Sequence, residues 1–187
     1  ISGKGVEHYK RYKQDFELLT EMNLNAFRFS LEWSRIEPSP GKWNHKEIQH
    51  YKDYIRELRK RKIEPFMNLW HWSMPVWFAE KGGFEKAENI KYFERFVEKV
   101  SEELLEDVEY VITINEPNVY ISFSYILGDW PPGKRSLFSA FKTYRNLATA
   151  HRRAYKILKR HKKSVQVGAA PNLVNIQAKR PHSVLDE

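Results

Sequence analysis

In the stretch Asn25-Ala26-Phe27-Arg28-Phe29-Ser30-Leu31-Glu32-Trp33-Ser34-Arg35-Ile36, the apolar residues Phe27, Phe29, Leu31 and Trp33 alternate with Arg28, Ser30 and Glu32. A period of two places the two sets on opposite faces of a strand. Just upstream, Tyr9, Tyr12, Phe16, Leu19 and Met22 recur at helical spacing, so a helix feeds this strand. The switch recurs along the chain. Ile48, Tyr51, Ile55 and Leu58 mark a helix opened by Asn44, with Glu47 three residues on as in a capping box, and Ile63 to His71 reads as the next strand. Ile90, Phe93, Val97, Val100 and Leu104 predict a third helix, and Tyr110 to Asn115 a third strand. Phe138, Phe141, Tyr144, Ala148, His151, Tyr155 and Leu158 predict the apolar face of a long helix, followed by a short strand over Val165 to Ala169.

Helices that alternate with strands require right-handed crossovers and a parallel sheet, either doubly wound or part of a (β/α)8 barrel. The connections separate these two. Segments after strands are long and rich in Trp, Pro and Gly (Trp33 to Trp43, Trp70 to Phe84, Pro117 to Gly133), whereas those after helices are short. Elaborate loops at the C-terminal ends of strands are where barrels build their sites. No Gly-x-Gly-x-x-Gly or phosphate-loop pattern follows any strand, which removes the main support for a nucleotide-binding sheet.

Composition narrows the class further. With 41% hydrophobic and 14% aromatic residues in 187, the chain can bury a core, and disorder is excluded. Its longest apolar runs fall far short of the roughly 18 to 20 residues of a membrane span. The absence of cysteine excludes disulfides and thiolate metal sites, and fits an expectation of a reducing, cytoplasmic setting. The net charge of +8 raises a nucleic-acid or anionic partner. Its distribution argues against one. Gly133 to Lys163 holds eleven Lys and Arg and no acid, while Glu94 to Glu109 holds seven acids against two bases. A solvated helix face beside a complementary acidic helix accounts for this, so no nucleic acid and no membrane is expected.

Three strand ends carry chemistry. Arg28 lies opposite Phe27 and Phe29; if those pack on helices, Arg28 points into the barrel, where its guanidinium calls for a carboxylate, with a pair to Glu32 or another local acid as the plain alternative. Trp70-His71-Trp72 sets an imidazole among aromatics, which can fill a core or stack on the C–H face of a sugar. Asn115-Glu116-Pro117 puts an amide and a carboxylate at the barrel mouth, although a lone strand-end Glu is more often a helix cap or an ion-pair partner.

These residues, together with Ser73-Met74-Pro75, Gly82-Gly83-Phe84 and Pro132-Gly133, in order from about Ile1 to Asn172, resemble glycoside hydrolase family 1, the β-glucosidase and β-galactosidase family. The resemblance implies a (β/α)8 barrel and retaining hydrolysis of β-glycosides, without a metal or organic cofactor. Carried over by position, Glu116 is the expected general acid/base and Asn115 a donor to the sugar 2-hydroxyl. His71 and Trp72 are expected sugar contacts, and Arg28 orients the nucleophile. Ser73 departs mildly from the Asp or Thr usual there.

The second carboxylate of a retaining pair is not visible. The family's nucleophile lies in a Glu-Asn-Gly motif that is absent after Glu116, and the context of Asp129 does not recommend it. The family's first strand and strands six to eight are also missing. Residues 1–187 therefore read as a single incomplete barrel domain, too short against about 250 residues, and the missing Met at position 1 and the stop at Asp186-Glu187 suggest a piece of something larger. Activity is expected if the missing half is supplied, and weak or no activity alone. Its open edges and apolar interior call for cover, from the missing segment or from a homo-oligomer. The alternatives are an inactive sugar-binding or structural remnant, and anion binding by the helix around Arg145 to Lys163.

Overall fold

The computed structural model describes residues 5–173. Its elements follow the order α1 (His8–Glu21), β1 (Ala26–Ser30), α2 (Trp33–Ile36), α3 (His45–Lys60), β2 (Glu64–Asn68), α4 (Val76–Glu80), α5 (Ile90–Leu104), β3 (Tyr110–Asn115), α6 (Pro117–Ile121), α7 (Leu137–His161) and β4 (Gln166–Ala170). The four strands form one parallel sheet in the order β1-β2-β3-β4. Strands laid down side by side in chain order, each joined by a helical crossover, are what the alternating periods predict for part of a (β/α)8 barrel.

Two expected strands are shorter than their pattern. β1 stops at Ser30 because Glu32 caps the short α2, its carboxylate accepting from the Ser34 N–H at 3.2 Å. β2 ends at Asn68, before the Trp70-His71-Trp72 turn. The helical cap of α3 also differs in detail. Asn44 Oδ1 accepts from the N–H groups of Lys46 (3.1 Å) and Glu47 (3.3 Å), but the Glu47 carboxylate accepts from the Tyr9 hydroxyl at 2.8 Å and does not close a capping box.

The core lies between sheet and helices. Phe29, Leu31, Met67, Leu69 and Val111 face it, packed against Phe16, Leu58, Phe96, Val97 and Leu147. Above it, the long post-strand segments are held by aromatic contacts. Trp33 stacks on Phe96 (5.1 Å between centroids), and Trp70 meets Phe84 (4.9 Å) and Tyr120 (5.0 Å) edge to face.

Helix α7 corrects the expected apolar face. Phe138 and Phe141 are 78% and 63% exposed, and Tyr144, Ala148 and Tyr155 are exposed as well. The buried stripe is Ala140, Thr143, Leu147, Ala150, Ala154, Ile157 and Leu158. The helix is apolar along two stripes, and the one with small residues packs inward because it lets the backbone approach α5 and β3 closely. The bulky stripe stays outside. Between α5 and α7 the opposite charges do meet: Arg153 bonds Glu94 at 2.9 Å, and Glu98 accepts from Arg160 and, at 2.8 Å, pairs with His161. No helix among the described residues is long and apolar enough to cross a membrane.

The face of the sheet away from the helices is more mixed than the expected apolar interior. Register sets Arg28, Phe66, Tyr110 and Gln166 across one level, and Ser30, Asn68, Ile112 and Gly168 across the next. Phe66 and Tyr110 stack at 4.4 Å, an aromatic floor beneath a polar rim.

Candidate active site

The rim at the C-terminal ends of β1, β2 and β3 collects the residues singled out from sequence. Arg28 stands level with Tyr110 two strands away, yet its guanidinium donates to Asn115 Oδ1, five residues further along β3. Its side chain therefore climbs the inner wall toward the rim. Among the described residues Arg28 has no carboxylate partner, and Glu32 is engaged elsewhere, accepting from Ser34 Oγ at 2.6 Å and Ser73 Oγ at 2.8 Å. The local Arg28–Glu32 pair is thus overturned. The expected demand for a carboxylate is met here by an amide.

Asn115 reaches the inner face through an irregularity. Between the paired positions Ile112↔Gly168 and Asn115↔Ala170, β3 carries one residue more than β4. Such a bulge bends a strand and re-aims side chains. Thr113 accordingly faces α7, its hydroxyl 2.7 Å from His151 Nδ1, while Asn115, two residues on, bonds Arg28 on the other side. The residue is 2% exposed.

Glu116 follows with φ 40° and ψ 60°, in the left-handed region, and Trp72 has φ 72°. Neither is a glycine, and each such conformation costs about 1–3 kcal/mol unless the surroundings fix it. For Glu116 the surroundings are Pro117, which starts α6, and the bond from its N–H to the Ala170 carbonyl at 2.8 Å. It occupies the cap position of α6 but makes no side-chain cap bond, and it has no ion-pair partner among the described residues. Its Oε1 is 3.4 Å from Asn172 Nδ2. Asn172 is tethered in turn to Asn118 by a reciprocal pair of bonds, 2.7 and 3.1 Å. The carboxylate stays half-exposed at the mouth, so neither plain role of a strand-end Glu applies.

His71 and Trp72 close the other side. The rings meet edge to face at 4.7 Å, and Trp72 Nε1 donates to the Asn115 carbonyl at 3.1 Å. His71 keeps an exposed edge, yet the packing of its ring lowers its pKa from the ordinary value. The Arg28 guanidinium adds to that lowering, and the Glu116 carboxylate opposes it. Trp70, by contrast, is core, 1% exposed. Trp72 extends outward to Trp130 at 4.8 Å, and Trp130 stacks on Phe123 at 4.8 Å.

All five residues read from sequence, Arg28, His71, Trp72, Asn115 and Glu116, stand on this rim. Three more went unassigned: Ser30, Asn68 and Trp130. The first was legible, since it shares the face of Arg28 two residues away. Asp129 is exposed in the loop before Trp130, its N–H bonded to the Phe123 carbonyl at 2.8 Å. Two grooves of ≈ 160 and ≈ 340 Å³ lie instead in the outer helical layer, lined by Lys52, Glu103 and Asp107, and by Ser101, His161 and Lys162, and they touch none of the rim residues.

Comparison with known proteins gives one answer. The chain is 33% identical to Beta-glucosidase A of Thermotoga maritima over 167 residues, 89% of this chain and 37% of that protein. Its fold superposes on a beta-glycosidase from Pyrococcus horikoshii with a TM-score of 0.89 at 41% identity, covering 94% of this chain and 40% of the other. It also superposes on the Thermotoga maritima Beta-glucosidase in complex with deoxynojirimycin, with a TM-score of 0.83 at 33% identity, covering 87% of this chain and 37% of that one. The chain thus spans about two fifths of the length of these relatives. The sequence profile of Glycosyl hydrolase family 1 matches residues 2–186, running on past Asn172, where the legible motifs stop. A match over nearly every residue, on a shared part-barrel fold, means that this chain belongs to glycosyl hydrolase family 1.

Proposed function

We propose that this chain carries the acid/base side of a retaining β-glycosidase centre, with Glu116 as the proton donor and then acceptor. The single observation behind this is the carboxylate itself: left-handed at a strand end, half-exposed at the mouth, and free of a cap bond or ion pair among the described residues. A carboxyl group kept out of structural service at such a cost is available to protonate a glycosidic oxygen and then to take a proton from water. The neighbours have matching parts. Asn115 Oδ1 is occupied by Arg28, which leaves its Nδ2 as the donor for a sugar hydroxyl. Trp72, its N–H on the Asn115 carbonyl, offers an indole for the apolar face of a pyranose.

Retention requires a second carboxylate about 5 to 5.5 Å from the first. In this reading it comes from sequence outside residues 5–173 and sits against Arg28, whose remaining N–H donors would hold it ionised. A β-linked glucoside is the substrate class, by analogy with the beta-glucosidase and beta-glycosidase relatives. The test is hydrolysis of an aryl β-glucoside by protein that contains this chain together with the second carboxylate, and by its Glu116→Gln variant. A loss of about 10²- to 10⁴-fold is expected for removal of a general acid/base. Unchanged turnover would remove Glu116 from the mechanism. Sugar binding without turnover in the unsubstituted protein would favour an inactive sugar-binding remnant.

A further inference from the structure

A chain of three polar side chains runs up the inner wall toward the rim. Asn68, at the end of β2 and 0% exposed, donates from Nδ2 to Ser30 Oγ at 2.9 Å, and Ser30 Oγ lies 3.3 Å from His71 Nδ1. We propose that Ser30 and Asn68 are positioning residues that fix His71 as the tautomer with its proton on Nε2, so that the ring presents an N–H donor to the site. The direction follows from counting protons. Ser30 Oγ accepts from the Asn68 amide, and its own proton has no acceptor among the described residues other than Nδ1; a neutral imidazole that accepts at Nδ1 carries its hydrogen on Nε2.

The orientation of the Asn68 amide supports the same direction. Its Oδ1 is buried and has no partner among the described residues. Turning the amide over would give Ser30 that oxygen, but it would strand both N–H groups of Nδ2 in the interior. Orphaned buried N–H groups are rarer in proteins than under-satisfied carbonyls. Burial of the ring, reinforced by the Arg28 guanidinium and opposed by the Glu116 carboxylate, disfavours a charged His71 and so favours the neutral form for which a tautomer is defined. Trp72 packs edge to face on the ring and limits its rotation.

In the glycosidase reading, the partner of that Nε2–H is a hydroxyl oxygen of the bound sugar. This part rests on the proposed function, whereas the tautomer does not and is measured without sugar. Long-range ¹H–¹⁵N correlation of ¹⁵N-histidine protein, with His71 assigned by its loss in His71→Gln, is expected to show a protonated Nε2 and a bare Nδ1 at neutral pH. Ser30→Ala is expected to give a mixture of tautomers and a higher ring pKa, and Ser30→Thr to restore the original pattern. A proton on Nδ1 in the unsubstituted protein, or an unchanged spectrum in Ser30→Ala, would overturn the relay. On an aryl β-glucoside, Ser30→Ala is expected to lose about fivefold to tenfold in kcat/KM, the worth of one hydrogen bond, with recovery in Ser30→Thr. An unsubstituted protein that carries the second carboxylate, shows the expected spectrum and is still inactive would sink the glycosidase reading and leave the relay standing.

Discussion

Asn115 joins three parts of the rim: its side-chain oxygen accepts a hydrogen bond from Arg28, its carbonyl accepts one from the Trp72 N–H, and its own N–H donates to the Trp70 carbonyl at 3.0 Å. The substitution Asn115→Asp separates its structural and chemical parts. A carboxylate would bond the guanidinium more strongly than an amide does, because the bond becomes charge-assisted. The thermal midpoint is therefore expected to hold, while the lost N–H donor lowers kcat/KM on a β-glucoside at least about tenfold. Retained turnover would show that the amide donates nothing to the substrate. The sequence pattern marked the rim positions of Glu116, Asn115, His71, Trp72 and Arg28, because each is a polar or aromatic group on or just after a strand; their roles stand as proposed. It was uninformative about the Arg28–Asn115 bond. That contact depends on a side chain climbing five register positions and on a bulge against β4, and a single strand's pattern records neither.

Helix ends and helix faces carry the next layer. Asn44 takes two otherwise orphaned N–H groups at the start of α3, so Asn44→Ala is expected to cost about 1 kcal/mol in urea unfolding, with activity retained. Helix α7 is pinned to the sheet by His151, whose Nδ1 lies against Thr113 Oγ1, while that hydroxyl donates to the Gly168 carbonyl at 3.2 Å. Burial lowers the pKa of His151, of His50 and of His71. In the unfolded chain these rings titrate near about 6.5. As pH falls below that value the unfolded state binds protons that the folded state does not, so stability falls with pH until the folded rings also charge. Urea midpoints at pH 7 and pH 5 are expected to drop, and His151→Gln to give a shallower drop. The positions of the helices were legible from apolar period, but the inward face of α7 was not. Phe138, Phe141 and Tyr144 are more apolar than Ala140, Ala150 and Ala154, and hydrophobicity alone selects the wrong stripe. Close approach of backbones made the choice.

Among the described residues, four parallel strands in chain order leave β1 and β4 as edges and a mixed face between them. The positive charge gathered on α7 is matched in part by α5, through Arg153–Glu94 and the Arg160–Glu98–His161 group, so the basic run has a structural account without an anionic partner. Homology extends over residues 2–186, and the chain matches about two fifths of its relatives. The order of elements was legible because every period switch marks one crossover. The proposed function turns on one proton, the one that Glu116 gives to the departing oxygen. It is tested most directly by the rate of the bond-cleavage step, read as the burst of released alcohol before steady state, for two β-glucosides in Glu116→Gln, one with a leaving group acidic enough to depart unprotonated and one with an alkyl alcohol. Bond cleavage is expected to survive for the first, with release of the sugar slowed, and to fall at least about 10²-fold for the second. Equal losses for both substrates, or none for either, would contradict it.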